Sequence, residues 1–399
     1  MKNIFTRIEE FNKPRLPDMV KLKYRFMGEN LYRFYRGTCH IFYEDLQSMG
    51  NILPSPQTWI SGDLHLENFG SYKGDNRLVY FDINDFDEAI LAPASWELVR
   101  LVTSIFIAFQ TLKINQKKAL HMASLFLKSY AKTLALGKQN YIEPQTASGI
   151  VYDFLSTVSK RKRKRILKKR TIKNKKGLLI LKKHPKHFPI EEPLKTELSN
   201  HINNWLHFDG NSPYNYQVID ATFRVAGTGS LGLNRYVLLL KSINNVGEKY
   251  LLIDMKEAIQ SSLQPYIQIQ QPEWPLQAER IRSVQYIMQN RAPALLSTSV
   301  FRNKSYLIQE MQPEKDSINF KLISNHYRNM CQVINDMGML TASAHLRGMG
   351  RMRAAAADDL IAYGADNHWH KSVLNYAIEY SATLKQYYRQ YKEAYINTF

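Results

Sequence analysis

The sequence contains few cysteines and no long apolar run, and both absences narrow the class of protein. Cys39 and Cys331 are its two cysteines, too few for a disulfide scaffold or a zinc site built from several thiolates. No run of about 18 apolar residues is present, so we predict no membrane-spanning helix. Residues Met1–Phe5 lack the apolar core of a signal peptide. We therefore expect a folded protein of the cytoplasm.

Acidic residues are scarce compared with basic ones. The chain has 54 Lys and Arg residues against 35 Asp and Glu residues, for a formal net charge of +19. Such an excess predicts an anionic partner, for which a nucleotide, a nucleic acid and an acidic membrane surface are the alternatives.

Much of this positive charge lies in one segment. Residues 160–170 are basic at nine of eleven positions, and the basic run extends to Lys186. A block of like charges is typically a solvated arm or an exposed helix. It has no interleaved aromatic residue, which disfavours a base-stacking platform. Steering of a phosphorylated substrate, nucleic-acid binding and contact with anionic lipid headgroups remain alternatives.

A short stretch near the N-terminus carries the first candidate chemistry. Residues 62–70 begin and end with glycine and contain Asp63, His65 and Asn68. In phosphoryl-transfer sites an Asp handles the acceptor hydroxyl, and an Asn five residues later helps to hold magnesium. A Gly-Asp pair alone is more commonly an ordinary turn.

A second acidic stretch follows an apolar, strand-like run at Leu78–Phe81 and contains Asp82, Asp85 and Asp87. An Asp at the end of a strand is the usual second protein ligand for magnesium in such sites. Carboxylate and carboxamide oxygens are the hard ligands that magnesium prefers. We therefore predict Asn68 with Asp82 or Asp85 as metal ligands, and the sequence does not separate the two aspartates.

A glycine-rich segment lies more than 140 residues further on. Gly227, Gly229 and Gly232 fit the pattern G-x-G-x-x-G, with Ser230 between them. The dinucleotide-binding version of this pattern leads into a helix. Here it leads into the apolar run Asn234–Leu240, as in the glycine-rich hairpin that covers nucleotide phosphates in kinases. An ordinary glycine-rich hairpin is the alternative.

The next strand-like run, Tyr250–Ala258, carries Lys256. A lysine on the strand after a glycine-rich hairpin is typical of the residue that binds the α- and β-phosphates in kinases. Its usual partner is a Glu on the following helix, for which Glu279 and Glu273 are candidates. A surface lysine is the alternative.

The remaining patterns are structural. Apolar spacing predicts helices over Leu16–Met27, Glu29–Met49, 94–140, Leu276–Gln289, Asn325–Leu346 and Lys371–Asn397. A further strand is predicted at Ser305–Pro313.

Two basic side chains on the helices, Arg33 and Arg36, are candidates for phosphate contacts, although surface arginines are common there. His345 is a weaker site candidate, since a histidine at a helix end is usually a capping or core residue.

At these motifs the sequence resembles known families. Gly62–Asn68 is similar to the catalytic loop of aminoglycoside phosphotransferases and other protein-kinase-like small-molecule kinases. Phe81–Ala89 is similar to their metal-binding segment, and Trp96–Leu101 resembles the helix that follows it. Ser61 stands where those enzymes carry the first histidine of H-G-D. More closely, the chain resembles the bacterial family catalogued as domain of unknown function 2252. That likeness includes Phe34–Gly37, Gly62–Gly70, Phe81–Glu88, Val225–Gly232, Lys256–Ala258 and Ala344–Arg347.

The resemblance implies an α+β, two-lobed, protein-kinase-like fold that uses ATP and Mg²⁺. The catalytic motifs precede the glycine-rich loop, so we expect a permuted order of parts. The predicted parts are a helical catalytic region (1–158), a basic exposed segment (159–190), a β-rich nucleotide lobe (191–315) and C-terminal helices (316–399).

In this reading, Asp63 and His65 are catalytic, and a hydroxyl-bearing acceptor of unknown identity receives the phosphate. The nucleotide contacts fall on Arg36, Gly227, Gly229, Ser230, Gly232, Lys256 and Glu279. A nucleotide-binding pseudokinase, a nucleotidyl-transferring relative, and a basic protein that binds nucleic acid or anionic membrane are the alternatives.

Overall fold

The computed structural model describes residues 3–50, 53–161, 163–173, 179–181, 186–208, 215–244, 249–311 and 317–398. Parts of the predicted basic segment (residue 162, 174–178 and 182–185) and the end of the predicted strand Ser305–Pro313 lie outside these ranges. Within them, the protein is a mixed α+β structure with one six-stranded sheet, which confirms the predicted fold class at that level. The domain boundaries stay predictions.

The N-terminal region is helical and is capped as the sequence suggests. Asn3 accepts a hydrogen bond from the Thr6 amide at the start of the first helix, and Pro17 begins the second, where its missing N–H costs nothing. The predicted helix Glu29–Met49 is two helices, because the backbone leaves the helical conformation at Thr38. These helices are α1 (Ile4–Asn12), α2 (Pro17–Glu29), α3 (Leu31–Gly37) and α4 (Cys39–Ser48).

Four short strands follow and form two antiparallel pairs. The strands are β1 (Gln57–Ile60), β2 (Phe69–Lys73), β3 (Val79–Ile83) and β4 (Ile90–Pro93). β1 pairs with β4, and β2 pairs with β3. The first pair joins the start of the predicted catalytic stretch to the end of the acidic stretch, and the second pair joins the end of the catalytic stretch to the start of the acidic one.

The predicted helical tract after residue 94 is present. It comprises α5 (Ala94–Thr111) and α6 (Gln116–Ala135), followed by α7 (Gly149–Ser159). Asn115 caps α6 by accepting a hydrogen bond from the Lys118 amide at 3.1 Å. With β1–β4 and the later helices, these elements enclose the largest apolar core.

The basic segment is partly docked on the protein rather than wholly solvated. It contains α8 (Arg163–Arg170), β5 (Thr171–Lys173), β6 (Leu179–Leu181) and β7 (His187–Phe188). Leu181 is buried against the sheet, and its amide donates to Asp220 at 2.7 Å. Lys168, Lys169 and Lys173 are exposed. The described residues of the segment therefore include both exposed lysines and a buried leucine.

The sheet contains the glycine-rich hairpin. After α9 (Glu192–Phe208) come β8 (Tyr216–Arg224), β9 (Arg235–Ser242), β10 (Tyr250–Glu257), α10 (Gln277–Met288), β11 (Ser297–Phe301) and β12 (Lys304–Glu310). The sheet is antiparallel in the order β11-β12-β10-β9-β8-β7. Leu238 and Leu240 pack with α9, whereas Val237 and Leu239 pack on the opposite face, as strand alternation requires.

The C-terminal helices return to the helical region. They are α11 (Phe320–Ile323), α12 (Tyr327–Gly348), α13 (Ala357–Ala365) and α14 (Trp369–Thr398). α12 packs along α6, and α14 packs on α5 and on the N-terminal helices. Among the described residues, no helix is both long and apolar enough to cross a membrane.

Candidate active site

Asp63 lies in the loop after β1 and forms an ion pair with Arg100 of α5. Arg100 donates to Oδ1 of Asp63 from Nη2 at 2.7 Å and from Nε at 3.1 Å. The guanidinium of Arg100 is fully buried and lies 3.7 Å from the centre of the Tyr35 ring. Burial raises the pKa of Asp63, and Arg100 opposes the rise. The result is a positioned carboxylate that is more basic than an ordinary aspartate.

Gly62 allows the close contact between the two polar stretches. Its φ is +84°, and a Cβ at this position would lie 2.2 Å from the carbonyl oxygen of Glu88. The Glu88 side chain is held in turn by the Ser262 amide at 2.6 Å. Only glycine fits such a left-handed, crowded turn without rearrangement, so Gly62 fixes where the acidic stretch meets the Asp63 loop.

The other two polar residues of the loop fix its shape. Asn68 donates from Nδ2 to the carbonyl oxygen of Asp63 at 2.8 Å. The ring of His65 faces two donors, the Glu67 amide at 3.2 Å and Nε of Arg36 at 3.0 Å. A neutral imidazole has one acceptor nitrogen, and burial lowers the pKa of His65 well below its usual range. His65 is therefore neutral and can accept a hydrogen bond from only one of these two donors at a time.

A buried hydrogen-bond network holds the start of the loop. Glu97 of α5 accepts hydrogen bonds from the Ser61 amide at 2.6 Å and from the Ser61 hydroxyl. Its second oxygen contacts Nε2 of His345 at 2.7 Å, and Nδ1 of His345 contacts the Tyr130 hydroxyl at 2.8 Å. The network joins α5, α6 and α12 to residue 61, and it gives His345 a structural place behind the loop.

The acidic stretch presents Asp85 and Asp87 to Lys256. Nζ of Lys256 forms an ion pair with Asp87 and lies 3.9 Å from Asp85. Burial raises the pKa of Asp87, and the nearby Asp85 raises it further, whereas Lys256 opposes the rise. Lys256 thus contacts the segment that the sequence assigns to metal binding.

Asp82 occupies a different environment from Asp85. It is buried in β3, where its Oδ1 accepts from the Ile83 amide at 2.8 Å and its Oδ2 lies 3.7 Å from Arg347. Burial raises the pKa of Asp82 to about 6. Asp85 lines the cleft described below, whereas Asp82 is not among its lining residues.

The glycine-rich segment is the loop between β8 and β9, as predicted, and it lies over Asp63. A Cβ on Gly229 would be 3.9 Å from Oδ2 of Asp63 and 3.3 Å from the carbonyl oxygen of Arg36. Gly227 and Gly232 have φ values of +74° and +96°, conformations that favour glycine. Within the described part of the chain, the backbone N–H groups of residues 227–230 donate to no protein acceptor.

A cleft of about 640 Å³, counted with its solvent-open part, lies between the glycine-rich loop and the two polar stretches. Its polar lining includes carboxylates, cations and the loop itself. These residues are Arg15, Arg36, Ser61, Asp63, His65, Asp85, Asp87, Glu88, Gly227, Gly229, Ser230 and Glu257. The structure therefore brings together residues separated by more than 150 positions in the sequence, although their functional roles stay predictions.

The predicted pair between Lys256 and a glutamate of the next helix is not formed among the described residues, where Lys256 pairs with Asp85 and Asp87. Glu279 lies in the first turn of α10, and Glu273 is exposed before that helix. Arg280 is a buried charged residue of α10. Its Nη2 donates to the carbonyl oxygens of Asp87 and Ile259, both at 2.9 Å.

Sequence reasoning missed several residues that shape this cleft. Arg15 and Lys23 hold the glycine-rich loop, Glu97 and Arg100 hold the Asp63 loop, and Arg280 holds the acidic stretch. Each is a charged residue at a buried position. Hydrophobic periodicity assigns such residues to the surface, so it gave no signal for them.

The donor set limits the kind of metal that the cleft could hold. Among the described residues, no three His, Cys, Asp or Glu side chains converge on one point. Asp85 and Asp87 supply two carboxylates at the cleft. Magnesium commonly takes one or two protein carboxylates and completes its shell with phosphates and water, so the residues present fit that ion better than one requiring an all-protein cage.

The fold and the site define a mixed α+β protein in which a glycine-rich hairpin covers a buried Asp–Arg pair and a Lys–Asp cluster. The chain belongs to the family described as uncharacterised proteins conserved in bacteria, domain of unknown function 2252, whose model matches residues 15–394. No curated protein matches the chain. No solved structure matches it either.

Proposed function

We propose that the protein is an ATP- and Mg²⁺-dependent phosphotransferase that transfers phosphate to a hydroxyl group. The observation that carries this proposal is the position of Gly229, whose Cβ would lie 3.9 Å from the Asp63 carboxylate. A loop with free amides suits phosphate binding, and an adjacent carboxylate suits an acceptor hydroxyl. Phosphoryl transfer requires these two functions side by side.

Asp63 is the proposed residue for the acceptor. Arg100 holds one carboxylate oxygen and thereby fixes the orientation of the side chain. The raised pKa of Asp63 increases its ability to take a proton from a hydroxyl. His65 supports this role indirectly when it accepts the hydrogen bond from Arg36 beside the same loop.

The loop between β8 and β9 and Lys256 are the proposed nucleotide-binding elements. Lys256 lies on the third strand of the run β8-β9-β10, the position that the phosphate-binding lysine has in protein kinases. The motifs occur in the reverse order, with Asp63 first. We therefore propose a kinase-like arrangement reached by permutation of the chain, a change that is physically tolerable where termini are exposed.

Magnesium would be held by Asp85 and Asp87, with Asn68 and Asp82 as the other candidates. When bound, the ion neutralises charge on the transferred phosphate. Lys256 contacts both Asp85 and Asp87, so a cation at these carboxylates would release the lysine toward phosphate. Asp82 already has an internal donor and Arg347 nearby, which favours Asp85 over Asp82 for this role.

The test is thermal unfolding with and without ATP and magnesium. A ligand that binds only the folded state raises its melting temperature, so we expect a shift in the wild type and its loss in Lys256→Ala. Lys249→Ala is the matched control, because Lys249 is exposed just before the same strand. The absence of any shift in the wild type at saturating ATP would contradict the proposal.

Product analysis then distinguishes the reaction classes. Phosphoryl transfer to a hydroxyl releases ADP, whereas nucleotidyl transfer releases pyrophosphate and leaves AMP on the acceptor. A pseudokinase would show the thermal shift with neither product. Appearance of pyrophosphate in place of ADP would replace the phosphotransferase assignment with the nucleotidyl-transferring one.

A further inference from the structure

The glycine-rich loop is held by the N-terminal segment Asn12–Lys23. Nη1 of Arg15 donates to the carbonyl oxygens of Gly229 at 2.6 Å and Leu231 at 2.9 Å. Nζ of Lys23 donates to the same Gly229 oxygen at 3.1 Å and to Oδ1 of Asn12 at 2.8 Å. This contact joins residues 214 positions apart in the sequence, and it fixes the carbonyl side of the loop.

Fixing the carbonyl oxygens also determines where the neighbouring amides point. The C=O and N–H of a trans peptide point in opposite directions, and the described chain has no cis peptide. The Gly229 carbonyl oxygen points toward Arg15 and Lys23, so the Ser230 N–H points away from them. Ser230 lines the cleft, and its N–H has no acceptor among the described residues. The segment therefore presets the loop for a ligand that accepts hydrogen bonds.

Arg15 and Lys23 have no carboxylate partner among the described residues, unlike the other cations at or near the cleft. Arg100 pairs with Asp63, Arg36 with Glu67 and Lys256 with Asp87. Lys23 is 0% exposed and Arg15 is 8% exposed, yet no carboxylate lies within ion-pair distance of either in the described ranges. Burial lowers the pKa of Lys23 well below its usual range and the neighbouring Arg15 lowers it further, whereas Glu88 and Asp63 oppose this shift only at longer range. Burial therefore disfavours the charged form of Lys23, and an anion bound nearby would stabilise that form.

We infer that the segment Asn12–Lys23 and the glycine-rich loop form one phosphate-binding site, in which Arg15 contacts the anion and Lys23 is a positioning residue. The ligand class is a chain of phosphates, either in a nucleotide or as a free polyphosphate. Arg15 lines the cleft itself, whereas Lys23 acts through the Gly229 carbonyl oxygen. The inference rests on the proposed nucleotide site but assigns it two residues from a different part of the chain.

Binding of sodium tripolyphosphate and of ATP, each measured by calorimetry, tests this inference. Lys23→Met keeps the length of the side chain and removes its charge. We expect it to weaken both ligands by about tenfold or more. Lys21→Met is the matched control, since Lys21 lies on the same helix but is 66% exposed and 3.8 Å from Asp18; it should leave both affinities unchanged. Arg15→Gln provides a second variant that should also lose affinity, in case Lys23→Met does not fold.

The unliganded melting temperature separates binding from a purely structural role. Lys23→Met removes a buried charge but also removes the donor to Oδ1 of Asn12, so each variant's affinities are measured well below its own unliganded melting temperature. A lower melting temperature with unchanged affinity for both ligands would overturn the inference while leaving the proposed function intact. Wild-type protein that binds neither ligand would overturn both. Binding of tripolyphosphate but not ATP, with the expected losses in the variants, would support the phosphate site and contradict the nucleotide assignment.

Discussion

At the scale of single residues, the Asp63–Arg100 pair shows how one contact can serve both stability and chemistry. Arg100 is fully buried and also donates to the Tyr35 carbonyl oxygen at 3.0 Å. Such a cation requires a fixed anion nearby, which Asp63 supplies with one oxygen. The same contact leaves the other oxygen facing the glycine-rich loop. The side chain is therefore held by α5 before any substrate arrives.

The substitution Asp63→Asn should abolish turnover while preserving nucleotide binding. Asparagine still accepts a hydrogen bond from Arg100 but cannot take a proton, so we expect kcat to fall by about 10²- to 10⁴-fold. The ATP-dependent thermal shift should remain, measured against the lower melting temperature expected for the variant. Asp75→Asn, at an exposed position, is the control. Turnover within a few-fold of the wild type would exclude Asp63 as the base.

Asp336 on α12 should make the free energy of unfolding depend on pH, independently of the cleft. Burial raises its pKa from 3.8 to about 7. Between these pH values the unfolded chain loses the proton before the folded protein does, so this residue destabilises the fold progressively as pH rises. Asp336→Asn should therefore raise the free energy of unfolding at pH 8 by about 2 kcal/mol, a value reduced for partial exposure.

The measurement for Asp336 is urea unfolding of wild type and variant at several pH values. The gain in the variant should be largest at pH 8 and should shrink toward pH 5. Asp153→Asn replaces an exposed aspartate and should give no such trend. A gain that stays constant across this range would show that the pKa of Asp336 is not raised.

At the scale of elements, three loops meet because glycine permits close backbone approach. The Asp63 loop contacts the acidic stretch at Gly62, and the glycine-rich loop approaches the Asp63 side chain and the Arg36 carbonyl oxygen at Gly229. A Cβ at Gly62 would collide with the Glu88 carbonyl oxygen, and one at Gly229 would crowd the Arg36 carbonyl oxygen. Buried charged residues hold each loop in place. Glu97 of α5 holds the Asp63 loop, Arg280 of α10 holds the acidic stretch, and the N-terminal Arg15 and Lys23 hold the glycine-rich loop.

Replacement of Gly62 by alanine should cost far more stability than replacement of Gly350. Both residues have positive φ values, +84° and +66°. A Cβ at Gly62 would collide with the Glu88 carbonyl oxygen, whereas one at Gly350 would meet nothing within 4 Å. We expect a loss of about 1 kcal/mol for Gly350→Ala from backbone strain alone and more than about 3 kcal/mol for Gly62→Ala. Equal losses in chemical denaturation would contradict the close contact.

Sequence patterns identified the elements of the cleft better than the contacts between them. The loop around Asp63, the glycine-rich hairpin and the strand with Lys256 each have a local signature, and each lies in the predicted element. The partner of Lys256 could not be predicted in the same way, because Asp87 is 169 positions away. Only the folded chain decides which charged residues meet.

Helix α10 illustrates a second limit. Apolar spacing predicts that Leu276, Ile281, Val284 and Ile287 face inward. The last three are buried, whereas Leu276 is half-buried. The same spacing treats the charged residues of the helix as exposed and offers no reason to choose Arg280 over Glu279. Arg280 is buried because four acceptors, three of them backbone carbonyl oxygens, surround its guanidinium. The sequence of the helix does not indicate which backbone carbonyl oxygens of distant loops will face it.

At the scale of the whole molecule, the positive charge and the cleft are separate features. The cleft carries carboxylates together with Arg15, Arg36 and, at its edge, Lys256. The exposed lysines of the basic segment lie on α8 and β5, on elements that do not line this cleft. Substitutions in the basic segment should therefore leave the binding properties of the cleft unchanged.

Substitution of Lys168, Lys169 and Lys173 by glutamine should weaken binding to a polyanion and leave the ATP-dependent thermal shift unchanged. If these lysines contact phosphates of duplex DNA, the slope of log K against log salt concentration should become shallower by about 2 to 3. The matched control replaces Lys117, Lys371 and Lys392, which are exposed elsewhere. An unchanged slope in the first triple variant would show that these lysines do not contact the polyanion. A lost thermal shift would show instead that the basic segment acts on the cleft, because the three substitutions remove charge without touching any residue that lines it.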